Sequence, residues 1–176
     1  MNHKGFTIIE LIIVISIMGI LLVLGVTSFG SSQANARDSE RNSDVESIAF
    51  HLETYYKTGD DASTSVGHYP STVLVNNSTN MTRMLRDIDT RSITAPGITV
   101  PTDTFKAATN NVQTTAGVTP QPTKDQYIYQ PIQSDGNLCT TETQSCRKFN
   151  IYYKLENPTS SCSAPNNICI VTSKNQ

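Results

Sequence analysis

From Phe6 to Val26 every position is apolar except Thr7, Glu10 and Ser16. At a rise of ~1.5 Å per residue such a run forms a helix about 30 Å long, the thickness of a bilayer's hydrocarbon core. A core helix of a soluble protein has an apolar stripe and a polar one, whereas this stretch is apolar all round, which predicts residence in a membrane. From Gln33 to Tyr56 the pattern changes. Val45, Ile48, Ala49, Leu52, Tyr55 and Tyr56 recur at helical spacing, extended more weakly by Ala34 and Asp38, and the spacing puts Asp38, Glu40, Arg41, Asp44 and Glu46 largely elsewhere on the surface. Proline does not occur before Pro70, so nothing interrupts a single helix from Phe6 to Tyr56, about 76 Å long. Its second half needs a sheet to cover its apolar stripe.

Gly59 suits the end of that helix and Tyr69-Pro70 an extended stop. From Ser71 to Lys124 apolar residues are sparse. One helical segment is expected from Asn80, a candidate cap, to Arg91, with Met81, Met84, Leu85 and Ile88 on one face. Ala95-Pro96-Gly97, Val100-Pro101 and Thr119-Pro120-Gln121-Pro122 punctuate a long loop rich in Thr and Asn. Three runs then read as strands, Tyr127 to Gln130, Phe149 to Glu156 and Ile168 to Thr172, with turns at Ser134-Asp135-Gly136-Asn137 and Asn157-Pro158. Three antiparallel strands laid on the amphipathic helix make an α+β domain.

Composition narrows the chemistry. With 13 basic against 15 acidic residues and a net charge of −2, the chain lacks the broad positive field of a nucleic-acid-binding protein. Arg83, Arg86 and Arg91 read as a solvated helix face rather than a DNA contact, for no aromatic residues interleave them. The four cysteines, Cys139, Cys146, Cys162 and Cys169, fall in two pairs of equal spacing, without the C-x2-C pairs or neighbouring histidines of a zinc site. Behind a membrane segment they are expected to form two disulfides in an oxidising exterior; three pairings are open, of which the local loops Cys139–Cys146 and Cys162–Cys169 are preferred. Asp60 and Asp61 lack the alternating spacing of a calcium loop, and His68 reads as a loop residue. The Asn76-Asn77-Ser78-Thr79 and Asn80-Met81-Thr82 glycosylation triplets carry little weight. No Gly-rich phosphate loop, His-flanked nucleophile or H-E-x-x-H is present, so no catalytic residue, metal or cofactor is expected.

Glu10 is the anomaly in the apolar run. An ionised side chain costs roughly 2.5–3.5 kcal/mol at the centre of a spanning helix and less near its end. It can be relieved by snorkelling, by protonation or by a cationic partner. Were the chain cut between Gly5 and Phe6, the new α-amino group would lie one turn from Glu10, within the chain or on a displaced neighbour. The intermolecular pair would fix an axial register that apolar helices otherwise lack.

A short basic leader (Met1-Asn2-His3-Lys4) ending in Gly5, then Phe6-Thr7, Glu10 and an apolar run, resembles the class III signal of type IV prepilins and pseudopilins. An ordinary secretory signal, cut after the apolar stretch near Gly25 to Ser31, fits less well. The resemblance implies cleavage after Gly5 by a prepilin peptidase, N-methylation of Phe6, and extraction of the chain from the cytoplasmic membrane into an extracellular filament. Many pilins carry a proline in this helix; here Gly19, Gly25 and Gly30 are the weak points, each costing about 1 kcal/mol relative to Ala. The family's partial melting of the helix on assembly would therefore fall between Gly19 and Gly30. Tyr55-Tyr56 followed by Gly67-His68-Tyr69-Pro70 resembles the helix end of major pseudopilins, displaced here by an insertion.

The implied fold is that of type IV pilins: leader 1–5, filament-core helix 6–30, amphipathic helix 31–58, αβ-loop region 59–126, and sheet with disulfides 127–176. The implied partners are other copies of the chain in a helical filament, the prepilin peptidase, an inner-membrane assembly platform with its ATPase, minor pilins, and membrane lipid before assembly. Adhesion, twitching motility and DNA uptake are the functions such a filament serves. A pseudopilin of a secretion or competence system is the alternative. A membrane-tethered binding domain that never polymerises needs neither Gly5-Phe6 nor Glu10. The charged block Arg37 to Arg41 is expected either to be solvated or to meet neighbouring subunits, with Arg37–Glu40 and Asp38–Arg41 at i, i+3 spacing.

Overall fold

The computed structural model describes residues 5–59, 66–76, 81, 84–98, 104–158, 162 and 166–175, with the backbone alone at 26–28. Its longest element is helix α1, Ile8–Thr58, of 51 residues. The chain divides into two units, Met1–Ala36 and Arg37–Gln176, each with its own internal contacts.

In the first unit α1 is a bare apolar cylinder. Its large side chains from Ile8 to Leu24 are all exposed, from 42% at Val14 to 80% at Ile8. The Ser16 hydroxyl donates to the Ile12 carbonyl at 2.8 Å, which satisfies the one hydroxyl in mid-run without a partner outside the helix. A Cβ added at Gly19, Gly25 or Gly30 would meet nothing within 4 Å, and all three glycines are helical.

The second unit is built on a four-stranded sheet in the order β1-β2-β3-β4, comprising Phe105–Ala107, Tyr127–Gln133, Cys146–Lys154 and Ile168–Thr172. The strands β2, β3 and β4 are antiparallel neighbours, and β1 runs parallel to β2. The sheet is thus mixed and has four strands, not the three antiparallel ones that the pattern predicts. Three residues are too few for a period-2 signal, and β1 lies upstream of the segment that reads as sheet. On one face Tyr127, Tyr129, Phe149 and Ile151 pack with Val45, Ile48, Leu52 and Tyr55 of α1 in the main core. On the other, Ile128, Tyr152 and Ile168 pack beneath Ala108 and Val118 of the segment between β1 and β2. Strand alternation sends successive side chains to opposite faces, and both faces are covered, so six of the seven β2 residues are buried.

Gln130, fully buried, locks the outer cover. Its Nε2 donates to the carbonyls of Asn110 (2.9 Å) and Val112 (3.2 Å), and its Oε1 accepts from Asn150 Nδ2 (3.1 Å) and the Tyr152 hydroxyl (3.0 Å). Every hydrogen-bonding capacity of the amide is filled.

Helix α1 ends at Thr58, where Gly59 takes a φ of 68° and its N–H donates to the Tyr55 carbonyl at 2.7 Å, a left-handed cap that glycine adopts without a Cβ penalty. Gly67 N–H then returns to the Tyr56 carbonyl at 2.7 Å, and the Tyr69 ring lies 4.6 Å from that of Tyr56. A short helix α2, Thr72–Val75, follows. Met81 and Met84 are helical, and Met81, Met84 and Leu85 are buried with Ile88 packed against them. The segment stops short of Arg91, for Asp87 turns left-handed (φ 63°) and a separate 3₁₀ helix, Thr90–Ile93, begins after Asp89. The expected cap Asn80, together with Arg83, Asp60 and Asp61, lies outside the described residues.

Two disulfides, Cys139–Cys146 and Cys162–Cys169, tie the C-terminal region. The chain-entropy account gives each such short loop about 2–3 kcal/mol.

Candidate processing and assembly segment

Gly5 and Phe6 precede α1, and the Phe6 side chain is 85% exposed. Thr7 is the residue before the first helical position. Its N–H and its hydroxyl donate to Glu10 Oε2 at 2.9 and 2.8 Å, while its Oγ1 accepts from the Glu10 N–H at 3.4 Å. This reciprocal exchange is a capping box, in which a Thr at the N-cap and a Glu three residues later satisfy donors that a helix start leaves unpaired. In the uncut chain, then, the carboxylate that charges the apolar run is occupied by the turn it sits in. The Thr-x-x-Glu spacing is the sequence signal for this cap, a fourth way to relieve Glu10 besides snorkelling, protonation and a cationic partner.

The charged block at the start of the second unit differs from its expected role. Asp38, Arg41 and Asp44 are buried, at 6%, 1% and 7% exposure. Arg41 donates to Asp38 Oδ1 at 2.8 Å and to the Lys124 carbonyl at 2.9 Å, and lies 2.9 Å from Glu156 Oε1. Arg37 grips Glu156 with two bonds, from Nε to Oε1 (2.7 Å) and from an Nη to Oε2 (2.6 Å). The Asp38 carboxylate also accepts the N–H groups of Glu156 (2.8 Å) and Asn157 (2.9 Å). Arg37 therefore pairs with Glu156 and not with Glu40. The cluster turns inward, pinning the turn after β3 to α1, because a buried carboxylate and a buried guanidinium, Asp38 and Arg41, are tolerated only when paired and hydrogen-bonded. These bonds, led by that from Arg37, hold the Glu156 carboxyl down at about 2. Burial pushes Asp44 up to about 6 although the Tyr127 hydroxyl donates to it at 3.1 Å.

A further buried carboxylate on α1 holds residues 174 and 175. Glu53, 8% exposed, accepts from the Tyr69 hydroxyl (3.0 Å), the Lys174 N–H (2.7 Å) and Asn175 Nδ2 (2.7 Å). His68 Nδ1 is 2.9 Å from Ser145 Oγ, a loop contact. Among the described residues no group of His, Cys, Asp and Glu is arranged to hold a metal ion.

The apolar half of α1 is long and apolar enough to cross a membrane. Residues 1–26 match the prokaryotic N-terminal methylation motif. That motif is the class III signal peptide of type IV pilins and pseudopilins, and it fits a membrane-anchored precursor. The match covers the leader and the apolar run and stops before the second unit. Comparison of the chain with curated proteins and with solved structures gave no match. The prepilin-type signal and the long α1 packed on a disulfide-tied α+β domain together describe a pilin-like chain, and the motif points to a structural subunit.

Proposed function

We propose that the chain is a pilin, cut between Gly5 and Phe6, methylated at Phe6, and polymerised into a type IV pilus on the bacterial surface for adhesion, motility or DNA uptake. The observation that carries this is the pairing of the methylation motif with an apolar helix whose side chains are exposed all round. Exposed apolar surface of that extent is covered by lipid or by other copies, since no monomer in water sustains it. Cleavage would also give Glu10 a new α-amino group to pair with, in exchange for the Thr7 cap. A pseudopilin is the second reading, favoured by the contact of Tyr56 with Gly67 and Tyr69 at the helix end.

The test is mass spectrometry of the intact chain and of its N-terminal peptide from membranes and from filaments sheared off cells. A chain starting at Phe6 with one added methyl group, abundant in the sheared fraction, is expected. Processed protein confined to membranes would favour the pseudopilin, and a chain still starting at Met1 would overturn both.

A further inference from the structure

The two edges of the sheet are finished differently. At β1 the edge is covered, with Phe105 and Ala107 only 2% and 7% exposed and α2 lying against the strand. At β4 it is open. The Ser173 N–H donates to the Phe149 carbonyl at 2.9 Å, and the Asn167 carbonyl accepts from the Leu155 N–H at 3.0 Å, so the odd-numbered residues here turn their backbone groups toward β3. In an antiparallel ladder the residues between them turn theirs away. Ile170 and Thr172, both exposed, thus present N–H and C=O groups outward, and these meet no partner among the described residues. The next outward N–H, that of Lys174, is taken by the Glu53 carboxylate at 2.7 Å. A side chain of α1 therefore supplies at residue 174 what a neighbouring strand would supply at 170 and 172.

Strand β4 also lacks the devices that keep such an edge from pairing. Ile168-Cys169-Ile170-Val171-Thr172 carries no charge and no proline, and its register with β3 runs without a bulge. Beside it a groove of about 390 Å³ separates β4 from α1. Ala49, Phe50 and Val171 form its apolar part, and Phe50 is 66% exposed. Thr172, Glu53 and the exposed Glu46 and Lys174 form the polar remainder. Glu53 is committed to its three donors, whereas Glu46 and Lys174 stand in no ion pair among the described residues.

We infer that β4 is a docking edge for an extended segment of another protein, which joins the sheet as a fifth strand by bonding the outward groups of Ile170 and Thr172. It lays an apolar side chain over Phe50 and Val171 and a basic one beside Glu46. The backbone groups select a strand, because an acyl chain or an apolar helix offers them no donor or acceptor. A second copy does not match this edge. Its β1 is the covered one, and two β4 strands paired about a two-fold would run the two domains in opposite directions, unlike copies that enter one membrane from the same side. The inference goes beyond the filament proposed above and holds for pilus and pseudopilus alike.

The test uses the full chain in detergent and short blocked peptides in which valine alternates with threonine, carrying one lysine, one glutamate or neither. At saturation the lysine peptide should slow hydrogen exchange at the Ile170 and Thr172 amides about tenfold, and it should bind more tightly than the glutamate peptide. Methylating the peptide nitrogens that would face β4 should weaken its binding about tenfold. Ile170→Pro removes an outward N–H and no bond to β3, a position where an edge strand tolerates proline. That variant should keep the thermal midpoint and both disulfides and lose the peptide to the same degree. Unchanged exchange at both amides with every peptide, or equal binding of the methylated one, would overturn the inference. So would sheared filaments of the native chain in which both amides already exchange slowly, for a second copy would then hold the edge.

Discussion

Two carboxylates of the second unit are shifted in opposite senses. Glu156 has a folded value of about 2 against a usual 4.5, so its pairing with Arg37 and Arg41 stabilises the fold above pH 4.5 and is lost as the pH falls through 2. Asp44 works in the other sense. Its folded value of about 6 against a usual 3.8 means the native state holds a proton that the unfolded state has released, so stability declines as the pH rises between those values. Asp44→Asn keeps an acceptor for the Tyr127 hydroxyl and removes the buried charge. It is expected to raise stability at pH 7 by about 1–2 kcal/mol and to flatten the profile between pH 4 and 6, measured by thermal melts of the processed chain in detergent. Arg41→Leu is the opposite case. It leaves Asp38 and Glu156 short of a donor and should cost about 3 kcal/mol in the same assay.

At the scale of elements, the long helix is legible because an apolar run long enough to span a bilayer passes, with no proline between, into a stripe at helical spacing from Val45 to Tyr56. The three longer strands are legible in part, since both faces of β2 are buried and alternation fades where neither face meets water. The short β1 carries no period at all. Asp38, Arg41 and Asp44 read as surface because polar residues off an apolar stripe usually are; their partners Glu156 and Tyr127 lie more than eighty residues away and no local spacing points to them. At the helix start, the Thr7-x-x-Glu10 spacing encodes the cap, but a carboxylate in an apolar run points equally to a cation, to protonation or to snorkelling. The outer cover of the sheet depends on Gln130, whose amide ties the carbonyls of Asn110 and Val112 to Asn150 and Tyr152. Gln130→Leu should speed hydrogen exchange of amides between 108 and 118 while those of β3 facing α1 stay protected; equal loss of protection on both faces would show that the sheet needs this amide to form at all.

For the whole molecule, the division at Ala36 and Arg37 separates surface that needs lipid or neighbours from a domain with its own core. A chain beginning just upstream of Arg37 should remain soluble without detergent, elute as a monomer and keep both disulfides, whereas the full chain should require detergent or assembly. Glu10→Val in the full chain removes the charge while preserving the apolar run. It should leave cleavage between Gly5 and Phe6 intact and abolish sheared filaments. Abundant filaments of normal length from that variant would show that register is set elsewhere.

The clasp of Arg37 and Arg41 on Glu156 has a mechanical side. The two arginines sit one turn apart on α1 and hold one carboxylate on the turn that leaves β3. A tension carried along α1 would reach this clasp before the apolar stripe at Val45 and Ile48. The first residues of the domain to feel a tug are thus fastened to the central strands by side chains rather than by the loops, which spares the long segment after Gly59 from bearing the load.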